Sequence, residues 1–189
     1  MKIELEIIPN DSISDAPDEG GYFPFAIDGP KEYIVECSLI SEVNPEKLTT
    51  QWMQQINQFP IFVMAEIYHD QRKELEQDCN FLQVHFETIT SEKKNDCFYK
   101  MKIENTEQFS ALFPYFYGNG SSNNLVLWSL KHDVFSYGKR KFTNSCYDRE
   151  KQTVIVNMKS TSCVFWISYD GSSIVAISNE VMFSLMNNE

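Results

Sequence analysis

Four short runs alternate apolar and polar residues with a period of two, and that pattern commits the chain to folds built on β-sheet. Ile3, Leu5 and Ile7 stand against Lys2, Glu4 and Glu6; Tyr33, Val35, Cys37 and Leu39 stand against Ile34, Glu36 and Ser38. Leu82, Val84, Phe86 and Thr88 alternate with Gln83, His85 and Glu87, and Tyr99, Met101 and Ile103 with Lys100, Lys102 and Glu104. Successive strand side chains point to opposite faces, so each run gives a strand with one face for a core. The last two runs flank the polar stretch Ser91 to Asp96 and predict an antiparallel hairpin. Strands are also expected over Leu125 to Leu130, Thr153 to Met158, Val164 to Tyr169 and Ser173 to Ser178. Asp170-Gly171 between the last two supplies a tight hairpin turn.

Helical signals are fewer. Asn44-Pro45-Glu46 combines a capping side chain, a proline suited to the first helical position and an early acid. Leu48, Trp52, Ile56 and Phe59 then recur at helical spacing until Pro60 stops the run. Ile61 to Tyr68 reads as a buried strand, followed by a short helix within Gln71 to Asp78. Thr106 is expected to cap a helix carrying Phe109, Leu112 and Phe113, which Pro114 limits to about two turns. Gly118 to Asn124 reads as a turn. The expected fold is α+β, with mainly antiparallel sheet and a few short helices. A single domain is expected over residues 1–189, with a weak division near 118–124. The 26 aromatic residues supply large buried surfaces and set the chain apart from disordered sequences.

Charge is distributed unevenly. The formal net charge is −11. Residues 1–96 hold 19 acids and 7 bases, whereas residues 97–189 hold 8 acids and 9 bases. Residues 9–30, rich in proline and glycine, form a long loop with apolar anchors at Tyr22, Phe23, Phe25 and Ile27. An acidic surface attracts basic partners over long range. The candidate contacts are Asp11, Asp15, Asp18 and Glu19, with Tyr22 and Phe23 as anchors.

Motifs for catalysis are lacking. No Gly-x-Ser-x-Gly elbow, phosphate-binding glycine loop or HExxH pair occurs. Cys37, Cys79, Cys97, Cys146 and Cys163 are spread singly, without metal-ligand or redox spacing, and read as buried thiols. His69, His85 and His132 lie far apart. His69-Asp70 and His132-Asp133 are adjacent pairs, which on a strand would point to opposite faces. The acids near Gly20-Gly21 resemble a calcium loop in composition alone. No metal and no cofactor is expected.

Lys131, Lys139, Arg140 and Lys141, interleaved with Phe135, Tyr137 and Phe142, have the composition of a single-strand-binding surface. The acidic whole opposes that reading, and no nucleic-acid partner is expected. Met1 to Pro9 lack the apolar core of a signal peptide, and the longest apolar stretch, Phe59 to Ala65, is too short to cross a bilayer. The expectation is therefore cytoplasmic, with no membrane partner.

The function expected on these grounds is a non-enzymatic inhibitor, such as an immunity protein or antitoxin, that binds a basic toxin or nuclease. Two alternatives stand beside it. One is an enzyme whose site is assembled from scattered residues. The other is a structural or regulatory homo-oligomer, with a homodimer allowed by the charge asymmetry.

Overall fold

The computed structural model describes residues 5–9, 22–39, 44–90, 97–144, 147–159 and 162–179. These residues form the strands β1 (Leu5–Ile7), β2 (Ala26–Asp28), β3 (Tyr33–Ser38), β4 (Ile61–Glu66), β5 (His85–Thr90) and β6 (Cys97–Ile103). They continue with β7 (Val126–Ser129), β8 (Phe135–Asn144), β9 (Tyr147–Asn157), β10 (Cys163–Ile167) and β11 (Ser173–Ser178). The helices are α1 (Pro45–Ile56), α2 (Arg72–Phe81) and α3 (Thr106–Ser121). The protein is α+β and mainly antiparallel.

An eight-stranded sheet runs in the order β1-β3-β11-β10-β7-β4-β6-β5, with every neighbouring pair antiparallel. Three helices cover one face. A three-stranded sheet, ordered β2-β9-β8, covers the other. Strands from beyond residue 124 lie between strands from before it, so the two halves of the chain share this sheet.

The alternation read from the sequence assigns each side chain to one of two cores. Ile61, Val63, Ala65, Tyr99, Met101, Trp128 and Phe165 face the helices and meet Trp52, Leu75, Phe109, Phe113 and Phe116. Met64, Phe98, Leu127, Val164, Trp166, Val175 and Ile177 face the smaller sheet and meet Phe25, Phe135, Val154 and Val156. Every residue of β10 and β11 is buried. These strands lie mid-sheet with both faces covered, which explains why Val164 to Ile167 reads as a solid apolar run.

Trp128 stacks on Phe165 at 5.4 Å and 10° between planes, and Trp52 meets the same Phe165 ring edge-on at 5.4 Å. On the opposite face, Phe23 and Phe25 pack edge-on against Trp166, at 5.6 and 5.8 Å. Fully burying one such ring contributes about 1.5–3 kcal/mol.

Local signals account for the helix ends. The Asn44 side chain accepts from Lys47 N at 2.8 Å, and Asn57, left-handed at φ 45°, closes α1 by donating its N–H to Met53 O. At α3, Asn105 rather than Thr106 is the cap. Its side chain accepts from Gln108 N at 2.9 Å, while Gln108 Oε1 accepts from Glu104 N at 2.7 Å. The β10–β11 turn spans more than Asp170 and Gly171: Ser168 N donates to Ser173 O, and within the four intervening residues Asp170 and Gly171 hold φ of 60° and 64°. Gly171 fits because a Cβ there would lie 2.7 Å from that of Ser121.

Three expectations are corrected. Pro114 does not end α3, which runs through it to Ser121. Phe109, Leu112 and Phe113 before the proline and Phe116 after it all enter the helix-side core. Their burial outweighs one lost backbone bond, a penalty of about 3 kcal/mol. Gly118 to Ser121, expected as a turn, close this helix because Asn119 is tied down on every side. Its Nδ2 donates to Gln71 Oε1 (2.7 Å) and Tyr115 O (2.8 Å), and its Oδ1 accepts from Tyr68 N (2.9 Å) and Asn124 Nδ2 (3.1 Å). Finally, β2 and β8 were not legible as strands; β2 is short and pairs in parallel with β9.

Pro114 is exposed mid-helix, so Pro114→Ala restores the missing donor without disturbing the core. Urea denaturation should show a gain of about 1–3 kcal/mol. A loss of stability would mean that the proline shapes the packing of α3.

Candidate functional site

Two surfaces concentrate functional side chains among the described residues: a groove near the β5 end of the large sheet and a carboxylate pair at its β1 end.

The groove follows from strand register. On the face away from the helices, Phe62, Lys102 and His85 stand in one row across β4, β6 and β5, and Met64, Lys100 and Glu87 in the next. Tyr137 of β8 still covers Phe98 at 5.0 Å. Beyond it the smaller sheet ends, and the open space forms a groove of about 290 Å3. The β7–β8 turn makes the far wall. There Asp133 is left-handed at φ 57°, and its Oδ2 holds His132 Nδ1 at 2.6 Å. The turn brings together two side chains that a strand would separate, which corrects the expectation for this adjacent pair. His132 in turn meets Phe62 edge-on at 4.9 Å and 82°.

The charges here are unequally satisfied. Lys102 reaches Glu104 at 2.6 Å in a pair about half exposed. The side chain of Lys100, half-buried in the floor, makes no ion pair or hydrogen bond among the described residues, and neither does that of His85 or Glu87. Among the described residues the lining holds no hydroxyl or thiol. The groove is lined by charged and imidazole side chains beside the ring of Phe62.

The thiols are elsewhere. Cys37, Cys79, Cys97 and Cys163 are buried; Cys146 lies outside the described residues. Burial, then the charges of Asp78 and Glu76, push the Cys79 thiol up to about 12. Burial likewise raises Cys97. A nucleophilic cysteine needs the opposite shift.

At the other end, Glu6 of β1 lies directly opposite Glu36 of β3 in the outermost strand pair. Neither carboxylate has a cationic partner among the described residues. Tyr22 donates its hydroxyl to Glu36 Oε2 at 3.4 Å. Burial and the charges of Glu36 and Glu6 hold this phenol well above its usual range. Ile7 in the same edge strand is 74% exposed.

The sequence candidates divide. Asp11, Asp15, Asp18 and Glu19 lie outside the described residues. Tyr22 is half-buried at the acidic edge. Phe23 is 1% exposed, spent on the second core rather than held out as an anchor. The flanks of the acid-rich segment both rest on β3: Ile8 N donates to Ile34 O, and Tyr22 reaches Glu36.

Three other carboxylates of the first half are engaged elsewhere. Glu76 accepts from Tyr99 Oη at 2.6 Å and Asp78 from Tyr115 Oη at 2.7 Å on the helix side, and Asp28 pairs with Arg140. In the basic cluster, Phe135 is buried and Tyr137 packs on Phe98, so these rings are not a platform for bases.

Comparison with protein-family models, curated proteins and solved structures finds no match. Sequence reasoning named His85, His132 and Asp133 but missed Phe62, Lys100 and Lys102 as their neighbours. The hairpin alternation places Lys100, Lys102, His85 and Glu87 on one face; the pairing of β4 with β6 leaves no signal.

For Cys79 the folded state retains a proton that the unfolded chain releases near its ordinary value of 9.0. The raised value contributes stability that is complete below that pH and lost as pH climbs toward about 12. Native protein at about pH 9 should leave Cys79 unlabelled by iodoacetamide, with labelling only after denaturation. Stoichiometric labelling of Cys79 itself in the native protein, located by peptide mapping, would contradict the burial.

Proposed function

We propose that this chain is a non-enzymatic binding protein whose β1–β3 edge engages a basic protein partner, in the manner of an immunity protein or antitoxin masking a basic toxin or nuclease. One observation carries the reading: Glu6 and Glu36 face each other without a cationic partner among the described residues. Like charges directly opposite in a strand pair destabilise the folded protein. A partner's lysine or arginine, set between them, would convert that cost into attraction.

Three further features support it. The edge carries the exposed Ile7, an apolar contact beside the charges. An outer strand also presents backbone groups that an extended segment can pair with. The acid-rich stretch holding Asp11, Asp15, Asp18 and Glu19 joins the fold at this same edge, adding long-range attraction that raises the rate of encounter.

A basic partner captured from the source cell at low salt should be released at high salt, since exposed charge pairs are screened. Glu6→Gln/Glu36→Gln should weaken capture about tenfold or more. Undiminished capture by the double variant, or capture indifferent to salt, would refute the reading. Salt-sensitive pairing of the chain with itself, seen by sizing, would replace the foreign partner with a second copy.

A further inference from the structure

We propose that the groove between β5, β6 and the β7–β8 turn binds a small ligand in which an oxyanion, a phosphate above all, is joined to a flat ring. This site is distinct from the acidic edge, which lies at the opposite end of the large sheet.

The sign of the ligand's charge follows from which groups are already occupied. Three carboxylates stand at or beside the groove. Asp133 is held by His132 and Glu104 by Lys102, each at 2.6 Å. Glu87 remains, opposite Lys100 in register but outside ion-pair distance. On the cationic side Lys100 is half-buried and without an ion-pair partner among the described residues, and His85 stands directly across from Lys102. The Lys102–Glu104 pair is about half exposed, so Lys102 can share its charge between Glu104 and an anion in the groove. A phosphate offers several acceptor oxygens to donors arriving from adjacent strands.

The ring follows from the apolar part of the wall. Phe62 is half-buried in the floor, with His132 edge-on against it, and Phe135 closes the base. Flat partners gain most from such surfaces through stacked or edge contacts. The volume, about 290 Å3, falls at the small end of ligand pockets and suits one compact molecule rather than a polymer.

Adenosine 5′-monophosphate, adenosine and inorganic phosphate are the probes, titrated into the full chain and followed by NMR and calorimetry. The monophosphate should shift the resonances of His85, His132 and Phe62. Adenosine and phosphate alone should each bind at least about tenfold more weakly, because each lacks one half of the recognition. Lys100→Gln/Lys102→Gln should reduce monophosphate affinity at least about tenfold with the circular dichroism spectrum unchanged, and Glu87→Gln should raise it several-fold by removing the competing carboxylate. Equal affinity for adenosine and its monophosphate would overturn the anion site. Equal affinity for phosphate and the monophosphate would overturn the ring. Shifts mapping away from the groove, or no binding by the monophosphate, would overturn the proposal entirely. If Lys100→Gln/Lys102→Gln unfolds the chain, Glu87→Gln decides: unchanged or weaker binding overturns it.

Discussion

Burial of the central strands on both faces is the constraint from which the rest of the structure follows. Every residue of β10 and β11 is buried, with Phe165 under the helices and Trp166 under the smaller sheet one residue later. A strand buried on both sides disfavours unpaired polar side chains, since each costs several kcal/mol to desolvate. At the β10–β11 turn the Ser168, Ser172 and Ser173 hydroxyls satisfy one another, whereas Trp128 Nε1 in β7 is buried without a hydrogen-bond partner among the described residues. The two covering layers depend on each other through this sheet, because they bind opposite sides of the same strands.

That constraint explains where function can reside. With the centre of the sheet reserved for aromatic and branched side chains, charge is displaced to the strands at its two ends, where a covering layer stops. At the β1 end this leaves two glutamates opposed across a strand pair. At the β5 end it leaves lysine, histidine and glutamate in alternating rows beside Phe62. The two surfaces differ in chemistry as well as place. One is a like-charge arrangement that favours a cationic macromolecule, and the other a small concavity that favours an anion.

Much of the fold was legible in the sequence because its signals are local. The period-two runs gave β3, β5 and β6 to within a few residues, and Asn44-Pro45 gave the start of α1. What escaped depends on contacts distant in sequence. Pro114 argues locally for a stop, but four aromatic and aliphatic anchors on both sides of it bury themselves together and carry the helix through. Gly118 to Ser121 look like a turn until Asn119 finds Gln71, Tyr68 and Asn124. The candidate site was less legible still. Phe23 was read as an outward anchor, yet it lies against Trp166, nearly 150 positions away in the chain. Lys100 and Lys102 looked like the solvent face of a hairpin. Only the pairing of β6 with β4, and the turn that folds His132 back onto Phe62, makes that face one side of a groove.

If the doubly covered sheet is the organising element, its inner strands should open only when the whole molecule unfolds. Native-state hydrogen exchange measures this directly. The slowest amides should lie in β10, β11, β7 and β4, with free energies of opening equal to that of global unfolding, and with faster exchange toward β1 and β5. Exchange in β8 and β9 as slow as in β10, together with early opening of β10 and β11, would contradict the account and place the stable nucleus in the smaller sheet instead.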